Sequence, residues 1–173
     1  LCHASSVAAL LEGIGSGAVS NPVEDVAQSD LIFLIGANPA SNHPRLMRSL
    51  MLLKRRGGKV IVINPAKEAG LVNFRVPSDV RSLLFGSEIA DLYLQPHIGG
   101  DIALLTGLAR EVLDRGAQDA EFVSTATTGF SDFVRHVSSV AWEEIERASG
   151  MKRDDIRRAA DLYIQAKHAV FGW

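Results

Sequence analysis

Two short runs of uninterrupted apolar residues, Leu31-Ile-Phe-Leu-Ile35 and Val60-Ile-Val-Ile63, constrain this chain more than any other feature. Neither alternates with polar residues, so both suit strands covered on two faces, as in a parallel sheet. Between them Pro44 is followed by Leu46, Met47, Leu50 and Leu53 at helical spacing, then by Lys54-Arg-Arg56 and Gly57-Gly58. Proline suits the first turn of a helix, cations suit its negative end, and glycine stops it. Strand, helix and strand of these lengths make a βαβ unit. The pattern predicts an α/β fold: a three-layer, doubly wound, mostly parallel sheet with helices on both faces, Rossmann-like in plan.

The rest of the chain is read around that unit. A helix is expected over 5–12, capped by Ser5 or Ser6 and ended by the glycines from Gly13. A turn-rich piece to Pro22 leads into a short helix, Val23–Ala27. Residues 66–89 are irregular and read as an insertion or long loop, with a helix near Ser78–Leu84. A third strand is expected at Leu92–Leu94, then a helix from Gly99-Gly100-Asp101 to Leu113 with Leu104, Leu105, Leu108 and Val112 on one face. Further helices are expected at Asp119–Ala126, Ser131–Val137, Trp142–Ser149 and Asp154–Ala166, with Phe130, Phe133, Val134 and Val137 turned to the sheet. Ala169–Phe171 would be a final strand.

Composition narrows the class. At 173 residues and 47% hydrophobic, the chain fits one domain with a real core, here taken as 1–173. A formal net charge of −2 argues against nucleic acid as the partner. No run approaches the ~18 consecutive apolar residues of a membrane span, so no membrane insertion is expected. The single cysteine, Cys2, excludes an internal disulfide and a self-contained cysteine cluster. The opening Leu-Cys-His runs almost directly into a helix, which reads as a piece of a longer polypeptide. With no targeting segment in view, the expected compartment is the cytoplasm.

Four places could carry chemistry, each with a plain structural reading beside it. The loop Gly36–Pro44 follows the first buried strand, where open α/β sheets bind ligands, and a helix N-terminus there favours phosphate. Its Asn38, Ser41, Asn42 and His43 add polar groups, but the same residues also make a good turn and cap. A glycine-spaced dinucleotide fingerprint is missing, which disfavours a simple NAD site. Asn64-Pro65 ends the second strand, where an acid often meets ribose hydroxyls, and equally makes a turn. Gly100-Asp101 reads first as a helix start, second as backbone that can approach a ligand. Cys2-His3 pairs a soft thiolate donor with a titratable imidazole, or is simply a small hydrophobe beside a polar residue. His97, His136 and His168 have no ligand spacing.

Taken in order, these pieces resemble the molybdopterin oxidoreductases of the formate dehydrogenase and dimethyl sulfoxide reductase superfamily. The resemblance runs through Cys-His-x-x-Ser-Val-Ala, Gly-Ser-Gly-Ala-Val-Ser-Asn, Ser-Asp-Leu-Ile-Phe-Leu-Ile-Gly-Ala-Asn-Pro-Ala, Asn-His-Pro, Lys-Arg-Arg-Gly-Gly-Lys-Val-Ile-Val-Ile-Asn-Pro and Gly-Gly-Asp-Ile-Ala-Leu-Leu, to the tail Gln-Ala-Lys-His-Ala-Val-Phe-Gly-Trp. It is nearest the formate dehydrogenase alpha-subunit branch. The resemblance implies one α/β domain of a large catalytic subunit that carries a bis(molybdopterin guanine dinucleotide) molybdenum centre. Other domains of that subunit would be its partners, and formate or a similar small molecule its substrate. A 4Fe-4S cluster would belong to another part of the parent. Cys2 falls at the position of the metal-ligating cysteine, and His3 at that of the neighbour that handles the proton. Gly36, Asn38, Ser41, Asn42, His43, Asn64, Pro65, Gly100 and Asp101 match the segments that hold one guanine dinucleotide. Asn64 stands where the family usually has an acid, and Ala66 where a basic residue often follows the proline. The competing expectation is a nucleotide-binding or interaction module that keeps the fold without the chemistry.

Overall fold

The computed structural model describes residues 3–18, 21–74 and 87–173. Cys2, positions 19–20 and the expected helix at Ser78–Leu84 lie outside the described residues. The apolar runs form strands β1 (Leu31–Ile35) and β2 (Lys59–Ile63), joined by α4 (Pro44–Arg55), which has Pro44 in its first turn. Ahead of β1 lie α1 (Ala4–Ile14) and α2 (Val23–Gln28); between β1 and α4 stands one turn of helix, α3 (Pro39–Asn42). After β2 come α5 (Ala69–Val72), the short strands β3 (Asn73–Phe74) and β4 (Ser87–Glu88), and then β5 (Leu92–Leu94). The remainder is α6 (Asp101–Asp114), α7 (Ala120–Ala126), α8 (Phe130–Ser139), α9 (Trp142–Ser149), α10 (Arg153–Gln165) and β6 (Ala169–Gly172).

The main sheet has the order β5-β2-β1-β6 and is parallel throughout, with Leu31 opposite Lys59 on one side and Ala169 on the other. β3 and β4 pair antiparallel, apart from it. Alternate residues of each strand point to opposite faces, which explains why both strands need unbroken apolar runs. Ile32, Leu34, Val60 and Val62 pack with Met47, Leu50, Met51 and Leu53 of α4. Leu31, Phe33, Ile61 and Ile63 pack on the other face with Leu104, Leu108, Ile145, Ile156 and Ala160 of α6, α9 and α10. Phe33 also stacks on Phe171 across β1 and β6, ring centroids 4.4 Å apart, with Tyr163 edge-on to both. This is the three-layer, doubly wound plan.

Several local expectations are corrected. α1 is longer than 5–12: His3 holds the capping position, neither Ser5 nor Ser6 caps, and the helix passes Gly13 to stop at Gly15, whose φ of 73° is left-handed. One helical glycine costs only about 1 kcal/mol, so Gly13 need not end the helix. Gly100, not Asp101, caps α6, and no side chain bonds that end. Leu105 turns outward, because the buried stripe of α6 is Leu104, Gly107, Leu108 and Glu111. Gly107 is small because a Cβ there would stand 2.9 Å from the Ile145 side chain and 3.0 Å from that of Ile156. Phe133 is 48% exposed and only Val137 of α8 is buried, since α8 packs on α6 and not on the sheet.

Candidate functional site

Because the four main strands are parallel, their carboxyl ends share one edge. β2 lies to one side of β1 and β6 to the other, so the winding reverses between β1 and β6. Connections leaving such a switch point in opposite directions open a crevice outside the strand ends.

Gly36 leaves β1 at this point with φ 62°, and no atom lies within 4 Å of where its Cβ would stand. Left-handed backbone favours glycine, and the space above it is open. The Asn38 carbonyl then accepts the N–H groups of Ser41 at 3.1 Å and Asn42 at 3.0 Å, closing the turn of α3. The Asn38 side chain donates from Nδ2 to Glu68 Oε2 at 2.7 Å. Its Oδ1 is buried with no hydrogen-bond partner among the described residues. Buried polar atoms nearly always find a partner, so this acceptor is an exception that invites a donor from outside the chain. Ser41, Asn42 and His43 are exposed beside it. α4 begins here with no side-chain cap and no acid in its first turn, leaving its positive dipole end uncompensated.

Glu68 is itself held in place. Its N–H donates to the Tyr93 hydroxyl at 2.9 Å, and that hydroxyl donates to the Ala66 carbonyl at 2.7 Å. Burial pushes the Tyr93 phenol above its ordinary value, so the group stays protonated and able to donate. Asn64 is buried, and its Oδ1 accepts the Ala66 N–H at 2.9 Å, an Asx turn. Its acceptor end is therefore spent on its own backbone. Gln95 Nε2 ties down the Pro65 carbonyl at 3.1 Å.

Gly100 and Asp101 follow β5 at the same edge. A Cβ on Gly100 would stand 2.9 Å from the Ala148 carbonyl oxygen and 3.0 Å from Ser149 Cα. The corner between α9 and α10 thus suffices to require glycine there. Asp101 opens α6 as its first residue, where its charge complements the helix dipole and would repel phosphate. Any ligand group it meets must be a donor. His3 is exposed at the start of α1. Trp173 Nε1 donates to Ser6 Oγ at 2.9 Å, tying the first turn of α1 to the end of β6, beside the β1 loop. No three His, Cys, Asp or Glu side chains gather as a metal site among the described residues, of which Cys2 is not one. No helix among them is long and apolar enough to cross a membrane.

The structure thus brings Gly36, Asn38, Ser41, Asn42, His43, Asn64, Pro65, Gly100 and Asp101 to one edge. Glu68 and Tyr93 escaped the reading of the sequence. Glu68 lies in an aperiodic stretch, while the signal for Tyr93 was present as the one hydroxyl inside an apolar strand, Leu92-Tyr-Leu94.

A family model described as molybdopterin oxidoreductase matches residues 1–166. The protein YdeP of Escherichia coli is 37% identical over 98% of this chain and 24% of its own length. Formate dehydrogenase H of the same organism is 32% identical over 99% of the chain and 22% of its own. The chain therefore spans about a quarter of the length of these curated relatives. Among solved structures, the acetylene hydratase from Pelobacter acetylenicus superposes with a TM-score of 0.65 at 22% identity, covering 87% of this chain and 20% of that one. At that identity the likeness concerns the fold.

Proposed function

This chain belongs to the molybdopterin oxidoreductase family, and from that premise we propose that it holds one guanine dinucleotide of a bis(molybdopterin guanine dinucleotide) molybdenum cofactor in a formate dehydrogenase-like parent enzyme. The observation that carries the reading is the orphaned Asn38 Oδ1 beside the open backbone of Gly36 and the uncapped start of α4. An anion at the helix start and a donor on the amide oxygen describe the two ends of a nucleotide diphosphate. Gly36, Ser41, Asn42 and His43 line that approach; Asn64, Pro65, Gly100 and Asp101 supply its far wall, Asn64 through the amide nitrogen left after its Asx turn. Asp101 would accept from hydroxyl or N–H donors.

When bound, the molybdenum centre supplies two-electron redox chemistry, and the protein contributes orientation and electrostatics. In this reading Cys2 ligates the metal by its thiolate, the soft donor suited to it. His3 takes the proton released from substrate, as imidazole can near neutral pH. The remaining domains of the parent close the site, and formate is the proposed substrate. Purifying the full-length parent and assaying molybdenum together with GMP released by acid hydrolysis tests this. Near-stoichiometric molybdenum with two GMP per metal is expected. A preparation active on formate yet free of GMP would overturn the nucleotide assignment, while bound nucleotide without molybdenum would point to a non-catalytic module. Cys2→Ser should abolish turnover in the parent; full retained activity would remove the ligand role.

A further inference from the structure

An amide side chain can present its oxygen or its nitrogen to a ligand, and which one it presents decides what it selects. Here the choice is made by Glu68. An ionised carboxylate only accepts hydrogen bonds, so Asn38 must face it with Nδ2, as the 2.7 Å contact shows, and turn Oδ1 away. Turning the amide over would set two acceptors against each other. The backbone from which Glu68 reaches is fixed as well, because its N–H is bonded to Tyr93, which is bonded in turn to Ala66. The outcome is a buried acceptor with no partner of its own, at the edge where nucleotide folds usually set an acid for ribose hydroxyls. Asn64, which ends β2, offers no charge there and has used its oxygen on Ala66.

Resting on the nucleotide reading above, we infer that Glu68 is a positioning residue: it locks the Asn38 amide so that the site selects a hydrogen-bond donor of the guanosine. Guanosine carries such donors on one edge of its base, the N1–H and the exocyclic amine, and on the ribose hydroxyls. A lone acceptor in a buried setting discriminates strongly against ligands that lack the donor, since it then stays unpaired. Tyr93 completes the device by fixing the backbone from which Glu68 reaches out.

The test is calorimetric titration of the chain with GDP, with purine riboside 5′-diphosphate, whose base carries no donor, and with 2′,3′-dideoxy-GDP, which lacks the ribose hydroxyls. Wild type and Glu68→Gln are compared, with Glu68→Ala as a second variant and thermal midpoints as the check on folding. Wild type should bind one analogue more weakly than GDP, and that analogue identifies the donor. Glu68→Gln allows the amide to turn over, so GDP affinity should fall about five- to tenfold and the ratio to that analogue should approach one. A merely structural role would lower all three affinities together and leave the ratio intact, which would overturn the inference. So would equal wild-type affinity for all three ligands, or wild-type behaviour in both variants, with the nucleotide reading left standing. A wild-type chain that binds no GDP overturns both.

Discussion

At the amino edge of the sheet Asp91 accepts from Lys54 Nζ at 2.6 Å, from the Val60 N–H at 2.9 Å and from Lys59 Nζ at 3.1 Å. Asp30, at the start of β1, likewise accepts the N–H groups of Lys167 and His168 that lead into β6. At the carboxyl edge, by contrast, Asn38 keeps a buried oxygen without a partner, Gly36 faces open space, and Ile98 is 93% exposed. The amino edge spends these carboxylates on itself, whereas the carboxyl edge leaves the Asn38 oxygen in reserve. Self-satisfied groups stabilise the fold; unsatisfied ones cost stability and are retained where a ligand supplies what is missing.

The contrast predicts different losses at the two edges. The largest expected effect is at Asp91. Asp91→Ala leaves Lys54 and the Val60 N–H without their partner and should cost about 3 kcal/mol, read as a lower urea midpoint. GDP affinity, measured below the transition, should not change. Burial pushes the Asp91 carboxyl up, but hydrogen bonds from Lys54, Val60 and Lys59 outweigh it and hold the group below the usual carboxylate range. A depressed value means the stabilisation is complete above the ordinary value near 4 and is lost as pH falls through the depressed one. Wild type should therefore lose this increment only below about pH 4, and Asp91→Ala should lack it in an acid titration of stability.

Gly100→Ala comes next, at about 2 kcal/mol, because the added methyl meets backbone at Ala148 and Ser149 that cannot easily give. That result would place Gly100 with the scaffold, although it stands at the open edge. Asn38→Ala should behave in the opposite way. It removes an unpaired buried acceptor as well as a hydrogen bond, so stability should shift by less than about 1 kcal/mol while GDP affinity drops about tenfold. The smallest effect belongs to Ile98→Ser, within about 0.5 kcal/mol in the same urea melts, since that side chain touches little. A large loss there would mean that the open edge carries the fold after all.

Much of the scaffold was legible because its signals are strong and local. β1 was readable to the residue, since a run apolar on both faces has one comfortable place in an α/β fold. α9 at Trp142–Ser149 was equally clear, opened by Glu143 and Glu144 and closed at Gly150. Phe133 misled because hydrophobicity does not tell which layer a helix joins, and α8 rests on another helix. The loop after β1 could be named as a candidate site by its position alone. The roles of Glu68 and Tyr93 were not, because they depend on contacts across 30 and 25 residues of sequence that no local pattern encodes. Asn38 could be named as a candidate, yet the direction of its amide is a property of the assembled site.

If the carboxyl edge is a guanine nucleotide site, amide chemical-shift mapping during a GDP titration will locate the ligand there. Saturable shifts should appear at Gly36, Asn38, the first turn of α4 and Glu68, with Asp91 and its neighbours unmoved. Shifts centred on the Asp91 edge, or none that saturate near Asn38, would contradict it.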